Sequence, residues 1–370
     1  MIRLLFILPD LNGGGAERVV LNLLRHLSPD RYQITLFLIK EQGIYWDEVP
    51  SYVRVVCATR RGRAPYILPW VLAKLLPLAK SHDVVIGALE LNATYLAYLA
   101  GRLLGKPVLG WVHINLPEHI THYRTYHQVA VRHIYRHLND VVFVSSHAMA
   151  AAKQWLNREA TGWKSIANIF DLATYESKKN SVLADEDTLF SQPVVISIGR
   201  LSRQKGFDVL IAAHARLRRS GVAHHLLILG EGSERQNLTD LAVQQGVADS
   251  VFMPGFVANP LIYLKRAHHF VLSSRYEGFA FVLLEALSCG LPTVATNCPS
   301  GPAEILQDGR VGLLVAMEDA QALADAMRRL LQEPMLCADL KARGLQRMAD
   351  FSPKEIAELW GAIFQDLVSH

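Results

Sequence analysis

Phe270-Val-Leu-Ser-Ser-Arg275-Tyr-Glu277-Gly-Phe-Ala280-Phe-Val-Leu-Leu-Glu285-Ala286 reads as a strand, a loop and a helix in quick succession. The apolar run Phe270–Ser273 has the length of a buried strand. Glu277 falls in the loop, and the helix is expected to begin about two residues later. Gly278, Phe279 and Ala280 then present N–H groups that no helical carbonyl satisfies, an arrangement suited to an anion. Glu285 lies more than a turn into a very apolar helix, where an unpaired carboxylate is costly. It needs a partner, and a pair of ribose hydroxyls would suit it.

The same strand–loop–helix unit recurs on both sides. In the first half, Arg3–Leu8, Gln33–Ile39, Val84–Gly87, Val108–His113 and Val141–Ser145 are candidate strands with helical stretches between them. The pattern restarts at Val194–Gly199 and continues through His225–Gly230, Val251–Pro254, Phe270–Ser273, Thr293–Thr296 and Gly312–Val315. From Asp319 to Val368 there are three amphipathic helices and no strand. This alternation predicts an α/β protein of two Rossmann-like domains with a ligand cleft between them. The expected division is 1–175, 190–350, and a C-terminal helix over 351–370 that packs back towards the N-terminal domain. The polar stretch Asp171–Pro193 is the expected connection.

A length of 370 residues also favours two cores over one. Half the residues are hydrophobic and 19% are charged, which excludes a disordered chain. The four cysteines, Cys57, Cys289, Cys298 and Cys337, are far apart and form no C-x-x-C pair. They fit neither a disulfide framework nor a structural zinc site, and suit a reducing, cytoplasmic setting. The opening run Met1–Pro9 is too short for a signal peptide and reads as a first buried strand. No segment reaches the roughly 20 apolar residues of a membrane span. Pro65–Lys80 comes nearest, but prolines at 65, 69 and 77 and Lys74 disqualify it.

The net charge of +4 conceals an asymmetry. Residues 1–180 hold 21 Lys and Arg against 13 Asp and Glu, and residues 181–370 hold 17 against 21. A basic half beside an acidic half points to work near an anionic surface. Nucleic acid is disfavoured, because no helix-turn-helix, finger or RNA-binding aromatic signature is present.

Two further loops follow predicted strands. Asn12-Gly13-Gly14-Gly15-Ala16-Glu17 opens a helix, and its glycines either admit a phosphate to the backbone or make a tight turn needing positive φ. Arg18 stands where a dinucleotide-binding loop has its third glycine, which disfavours a dehydrogenase. In Gly199-Arg200-Leu201-Ser202-Arg203-Gln204-Lys205-Gly206, Arg200 and Lys205 could converge on a diphosphate. Taken alone, such a loop is ordinary solvated surface.

Together these motifs resemble the family 4 retaining glycosyltransferases of GT-B fold. Glu277 and Glu285 stand as that family's E-x7-E pair. The Gly-Gly-Gly-Ala-Glu loop, Gly-Arg-Leu-x-x-Gln-Lys-Gly and Cys298-Pro-Ser-Gly-Pro-Ala-Glu-Ile-Leu306 are similar to its other markers, in the right order along nearly the whole chain. The resemblance implies that Glu285 binds the donor's ribose. Glu277, with the N–H groups of Phe279 and Ala280, would hold the transferring sugar, and Gly278 belongs to the same loop. Arg200 and Lys205 would neutralise the diphosphate, with Gly14 and Gly15 closing from the other domain. His113, ending a strand, matches a family histidine near the donor sugar, although a strand-end histidine is often a satisfied polar residue.

The resemblance further implies a UDP-sugar donor, no metal cofactor, and a glycan or lipid-linked acceptor for envelope polysaccharide assembly. Where relatives commonly have Glu-Gly-Phe-Pro-Asn, this chain has Glu-Gly-Phe-Ala280-Phe281. Alternatives are a GT-B epimerase or an inactive nucleotide-sugar-binding subunit. A metal site among His119, His122, His127, His133 and His137 is disfavoured because no nearby carboxylate completes it. Arg60-Arg61-Gly62-Arg63, followed by Trp70 and leucines at 68, 72, 75, 76 and 78, suggests peripheral docking on the inner membrane face.

Overall fold

The apolar run that opens the chain forms the middle of a sheet. Leu4 through Leu8 are completely buried, as expected of a parallel strand covered by helices on both faces. The computed structural model describes residues 1–12, 15–60, 64–121, 123–171, 186–299 and 301–369. They fall into two compact units, Met1–Phe170 with Phe351–His370, and Asp171–Asp350.

The first unit contains β1 (Ile2–Leu8), β2 (Tyr32–Lys40), β3 (Arg54–Thr59), β4 (Val84–Gly87), β5 (Val108–Val112), β6 (Asp140–Phe143) and β7 (Trp163–Ser165). Their order is β3-β2-β1-β4-β5-β6-β7, with every pairing parallel. The sequence reading misses β3 and β7. Both are edge strands, paired on one side only, and β7 has just three residues. Neither needs the long apolar run that marks a central strand. The order reverses between β1 and β4, the place where ligands bind in open α/β sheets.

The helix Pro353–Ser369 belongs to this unit. Trp360 packs on Trp111 with ring centroids 4.4 Å apart, and Phe364 meets Phe6 and Tyr32 edge-on. The helix Ala64–Ser81 lays Val71, Leu75 and Ala79 against the core of the same sheet, with Leu72, Leu76 and Leu78 partly buried beside them. Trp70 and Leu68 face outward, 71% and 44% exposed. No described helix is long and apolar enough to cross a membrane.

The second unit repeats the plan with β8 (Val194–Ile198), β9 (His225–Leu229), β10 (Val251–Gly255), β11 (His269–Leu272), β12 (Thr293–Thr296) and β13 (Leu313–Val315). The order is β10-β9-β8-β11-β12-β13, again parallel, and it reverses between β8 and β11. Helices Phe207–Arg219 and Ala320–Gln332 bury Leu210, Ile211, Leu323 and Met327 against it. Asp319 caps the latter helix, its carboxylate accepting from the Gln321 and Ala322 N–H groups. Of the expected connection Asp171–Pro193, residues 172–185 lie outside the described residues, and Glu186–Leu189 forms a short helix.

The second unit also buries histidines that no site uses. His214 donates through Nδ1 to His224 Nε2 at 2.8 Å, and its Nε2 lies 3.0 Å from the Ser250 hydroxyl. His224 Nδ1 donates to the Val222 carbonyl. This chain of bonds needs neutral rings. Burial pushes His214 down to about 2 and His224 to about 4, and holds His269 well below the usual range. A base whose folded pKa is depressed stabilises the fold fully above its unfolded value and ceases to do so as pH falls below it. At pH 5.5 each of the three should cost about 1.4 kcal/mol relative to pH 8. Urea unfolding should therefore show a loss of about 4 kcal/mol between those pH values. A stability that stays flat over that range would contradict the neutral histidine chain.

Candidate functional site

The loops after β8 and β11 leave adjacent strands at the reversal point, so their residues meet. After β8, a turn at Arg203–Lys205 leads into Gly206, which adopts φ 61°. A Cβ on Gly206 would lie 2.1 Å from the Ser273 carbonyl oxygen, so only glycine permits this approach. The loops are tied by Ser273 Oγ donating to the Lys205 carbonyl and the Arg275 N–H donating to the Gln204 carbonyl, both at 2.8 Å.

The result is a charge pair below the surface. Lys205 Nζ stands 2.6 Å from Glu277 Oε1, with the Glu277 side chain only 6% exposed. The Ser274 hydroxyl donates to the same oxygen at 2.5 Å, and the Thr296 hydroxyl in turn donates to the Ser274 carbonyl. Beside the pair, burial and the nearby Glu277 carboxylate push the Cys298 thiol up to about 12. That thiol stays protonated and is no nucleophile.

A second ionic tie braces the loop from outside. The Arg275 guanidinium forks onto Asp208 at 2.9 and 2.7 Å, donates to the Arg203 carbonyl and pairs with Glu318. Hydrogen bonding to these carboxylates raises the Arg275 pKa. Burial acts to raise Asp208, but Arg275 outweighs it and holds the carboxyl below its usual range. Arg275, Asp208 and Ser274 escape the sequence reading, because nothing in their spacing marks them as one network.

The helix after this loop starts at Phe281, four residues past Glu277, and so later than the sequence suggests. Ala280 takes the vacated position with φ 56° and ψ 54°. Proline, locked near φ −65°, cannot adopt that conformation, so the departure from Glu-Gly-Phe-Pro-Asn is one the backbone requires. Among the described residues, the N–H groups of Gly278 and Ala280 have no partner. Gly301, at φ 88°, brings the following loop against the Phe279 backbone. Glu285 sits on the buried side of the helix Phe281–Ser288, 8% exposed. Arg200 is exposed.

In the first unit, the helix Gly15–His26 follows β1, and space for a Cβ is open around Gly15. Gly13 and Gly14 lie outside the described residues. His113 stands just past β5, with Nε2 donating to the Ala88 carbonyl at 3.1 Å. Burial drives its pKa to about 4. The ring is therefore neutral, and Nδ1, buried and unpartnered, is a hydrogen-bond acceptor. The sequence reading passes over Glu90, just beyond β4, whose Oε2 accepts from the His113 N–H at 3.2 Å. A lone polar residue after an apolar strand was the available signal.

The helical histidines make ring contacts: His133 lies 4.5 Å from His137, and His119 lies 5.2 Å from Tyr123. His122 lies outside the described residues. The four cysteines are free thiols. Arg60 pairs with Glu41 at 2.8 Å, while Arg61 and Arg63 lie outside the described residues.

Residues 13–173 match the family described as "Glycosyltransferase Family 4", and residues 184–347 match "Glycosyl transferases group 1". A Campylobacter jejuni protein named N-acetylgalactosamine-N,N'-diacetylbacillosaminyl-diphospho-undecaprenol 4-alpha-N-acetylgalactosaminyltransferase is 26% identical, over 94% of this chain and 95% of its own. Lipopolysaccharide core biosynthesis glycosyltransferase LpsE of Rhizobium meliloti is 35% identical, over 54% of this chain and 58% of its own. Among solved structures, Anabaena Alr3699/HepE in complex with UDP superposes with a TM-score of 0.81 at 21% identity, covering 99% of this chain and 100% of that one.

Removing Lys205 alone strands the Glu277 carboxylate. Lys205→Met should cost about 3 kcal/mol in urea unfolding. Adding Glu277→Gln to it should restore most of that loss, since neither charge then lacks its partner. Additive effects of the two substitutions would mean that the pair is not coupled.

Proposed function

The chain belongs to the family 4 glycosyltransferases of GT-B fold, and on that premise we propose its reaction. It moves a hexose or N-acetylhexosamine from a nucleoside diphosphate sugar, with retention of anomeric configuration. The favoured donor is a UDP-sugar, and the acceptor is a precursor of envelope polysaccharide, lipopolysaccharide or lipid-linked oligosaccharide. The Lys205–Glu277 pair carries the reading: a cation and a buried carboxylate at the reversal point, beside unsatisfied N–H groups.

Each residue then has a task. Glu277 and the N–H groups of Phe279 and Ala280 hold hydroxyls of the transferring sugar. Lys205 and Arg200 take the diphosphate, and Glu285 takes the ribose diol. Charge developing on the leaving diphosphate is met by fixed cations and N–H dipoles, so no metal cofactor is invoked. His113 Nδ1, an acceptor, suits a sugar hydroxyl. Gly14 and Gly15 approach the donor phosphates.

The acceptor class is supported by the relatives' names, which refer to diphospho-undecaprenol, lipopolysaccharide core and, for an Erwinia amylovora protein, amylovoran. The UDP preference is supported by the UDP and UDP-glucose complexes of the Anabaena protein. The deciding experiment incubates the full chain with UDP-, GDP- and ADP-sugars in chelator and follows release of the nucleoside diphosphate. Release is expected from a UDP-sugar. Binding without release in any condition would favour a non-catalytic nucleotide-sugar-binding subunit.

Glu285→Ala should remove charge-assisted hydrogen bonds worth roughly 1.5–3 kcal/mol. Calorimetric affinity for UDP should drop about 10- to 150-fold. Unchanged affinity would remove Glu285 from the ribose contact.

We also propose that the enzyme works on the cytoplasmic membrane face. The supporting features are exposed Trp70 and Leu68 close to the arginines at 60, 61 and 63. Each Lys or Arg near an anionic leaflet contributes about 1 kcal/mol. Sedimentation with phosphatidylglycerol liposomes should show salt-sensitive binding that weakens with Trp70→Ser. Indifference to such liposomes at low salt would end this part of the proposal.

A further inference from the structure

The first unit has its own reversal point, between β1 and β4. The glycine loop leaves β1 there. What leaves β4 is the turn Ala88-Leu89-Glu90-Leu91. This turn is tightly specified. The Ala88 N–H donates to the Ile7 carbonyl on β1, and the Thr94 N–H and hydroxyl both donate to the Leu89 carbonyl. Leu91 closes the turn at φ 63° and ψ −119°, a conformation costing a non-glycine residue about 1–3 kcal/mol. The turn therefore holds Glu90 in place above the sheet.

The surroundings of Glu90 are unusual for a carboxylate. Its one recorded hydrogen-bond donor outside its own turn is the His113 N–H. The titratable groups near it are Glu17 on the helix after β1, the neutral ring of His113 beyond β5, and Tyr135 on the helix Thr125–His137. Asp10 lies beyond Glu17. None supplies a positive charge, and no described Lys or Arg pairs with Glu90. Glu277 in the second unit has a lysine and a hydroxyl, whereas Glu90 has neither. Loss of solvent pushes the Glu90 carboxyl up to about 7. The carboxylate form is thus a ready proton acceptor at neutral pH.

We propose that Glu90 binds the acceptor hydroxyl at which the new glycosidic bond is made and takes its proton. The step rests on the glycosyl-transfer reading above. The hydroxyl oxygen forms its bond to the anomeric carbon as the bond from that carbon to the diphosphate oxygen breaks. The electron pair of the broken bond leaves with the diphosphate. The hydroxyl proton passes to the Glu90 carboxylate, which returns it to solvent after product departs. When water replaces the acceptor, the same group takes a proton from water.

Hydrolysis of the donor therefore tests Glu90 without knowledge of the natural acceptor. The probe is the sugar nucleotide selected by the donor screen, with the wild-type chain, Glu90→Gln and Glu90→Asp. Glutamine keeps an oxygen for the His113 N–H, so the turn should survive; melting temperature and calorimetric UDP affinity within twofold of wild type verify this. Wild-type hydrolysis should rise with pH through about 7 and level off. Glu90→Gln should be at least 30-fold slower at pH 8, with no such rise, and Glu90→Asp should be slower but keep it. A Gln variant that hydrolyses at the wild-type rate, or keeps the same pH dependence, overturns the assignment while leaving glycosyl transfer intact. If the wild type binds and cleaves no sugar nucleotide, the transfer reading itself fails, and this step with it.

Discussion

A carboxylate that is 6% exposed stays ionised only where donors and a cation are supplied to it. Glu277 imposes that requirement on the second unit, and much of the local architecture answers it. Lys205 must come from the loop after β8, so that loop must press against the loop after β11. Only glycine at position 206 allows the approach, because any Cβ there meets the Ser273 carbonyl. The Asp208–Arg275–Glu318 network then locks the loops from the solvent side. These contacts leave the Gly278 and Ala280 N–H groups open beside a fixed negative and a fixed positive charge.

The first unit solves a related geometric problem with a different chemical outcome. Its reversal point carries Glu90 on a strained turn, with a backbone N–H in place of a lysine. Two carboxylates at corresponding points of two similar sheets thus differ in what surrounds them. Glu277 is held ionised by a cation and suits the binding of hydroxyls. Glu90, lacking a cation, exchanges its proton near neutral pH and suits proton transfer. The difference comes from environment, since the side chains are the same.

Much of the fold was legible because central parallel strands must be apolar on both faces. Val84–Gly87 and Thr293–Thr296 stand out from sequence alone with their observed limits. Arg54–Thr59 and Trp163–Ser165 do not, because an edge strand satisfies the sheet with fewer apolar residues. Glu277, Glu285 and Lys205 were visible as charged residues at strand ends or in an apolar helix. The Lys205–Glu277 contact was not, since it joins loops separated by 72 residues in the chain. Ala280 shows the limit from the other side: a substitution away from proline is readable, but its left-handed backbone is not. Glu90 was missed because its character depends on the absence of a neighbouring cation, and absence in space leaves no mark in sequence.

The central claim is that the loops after β8 and β11 form the nucleotide-sugar site. Hydrogen–deuterium exchange with and without saturating UDP tests it most directly, since it needs neither the donor sugar nor the acceptor. The account predicts slower exchange in peptides covering Gly199–Gly206 and Ser274–Glu285, with little change in β9, β10 and the helix Ala320–Gln332. Protection confined to other segments, or none at saturating UDP, would contradict it.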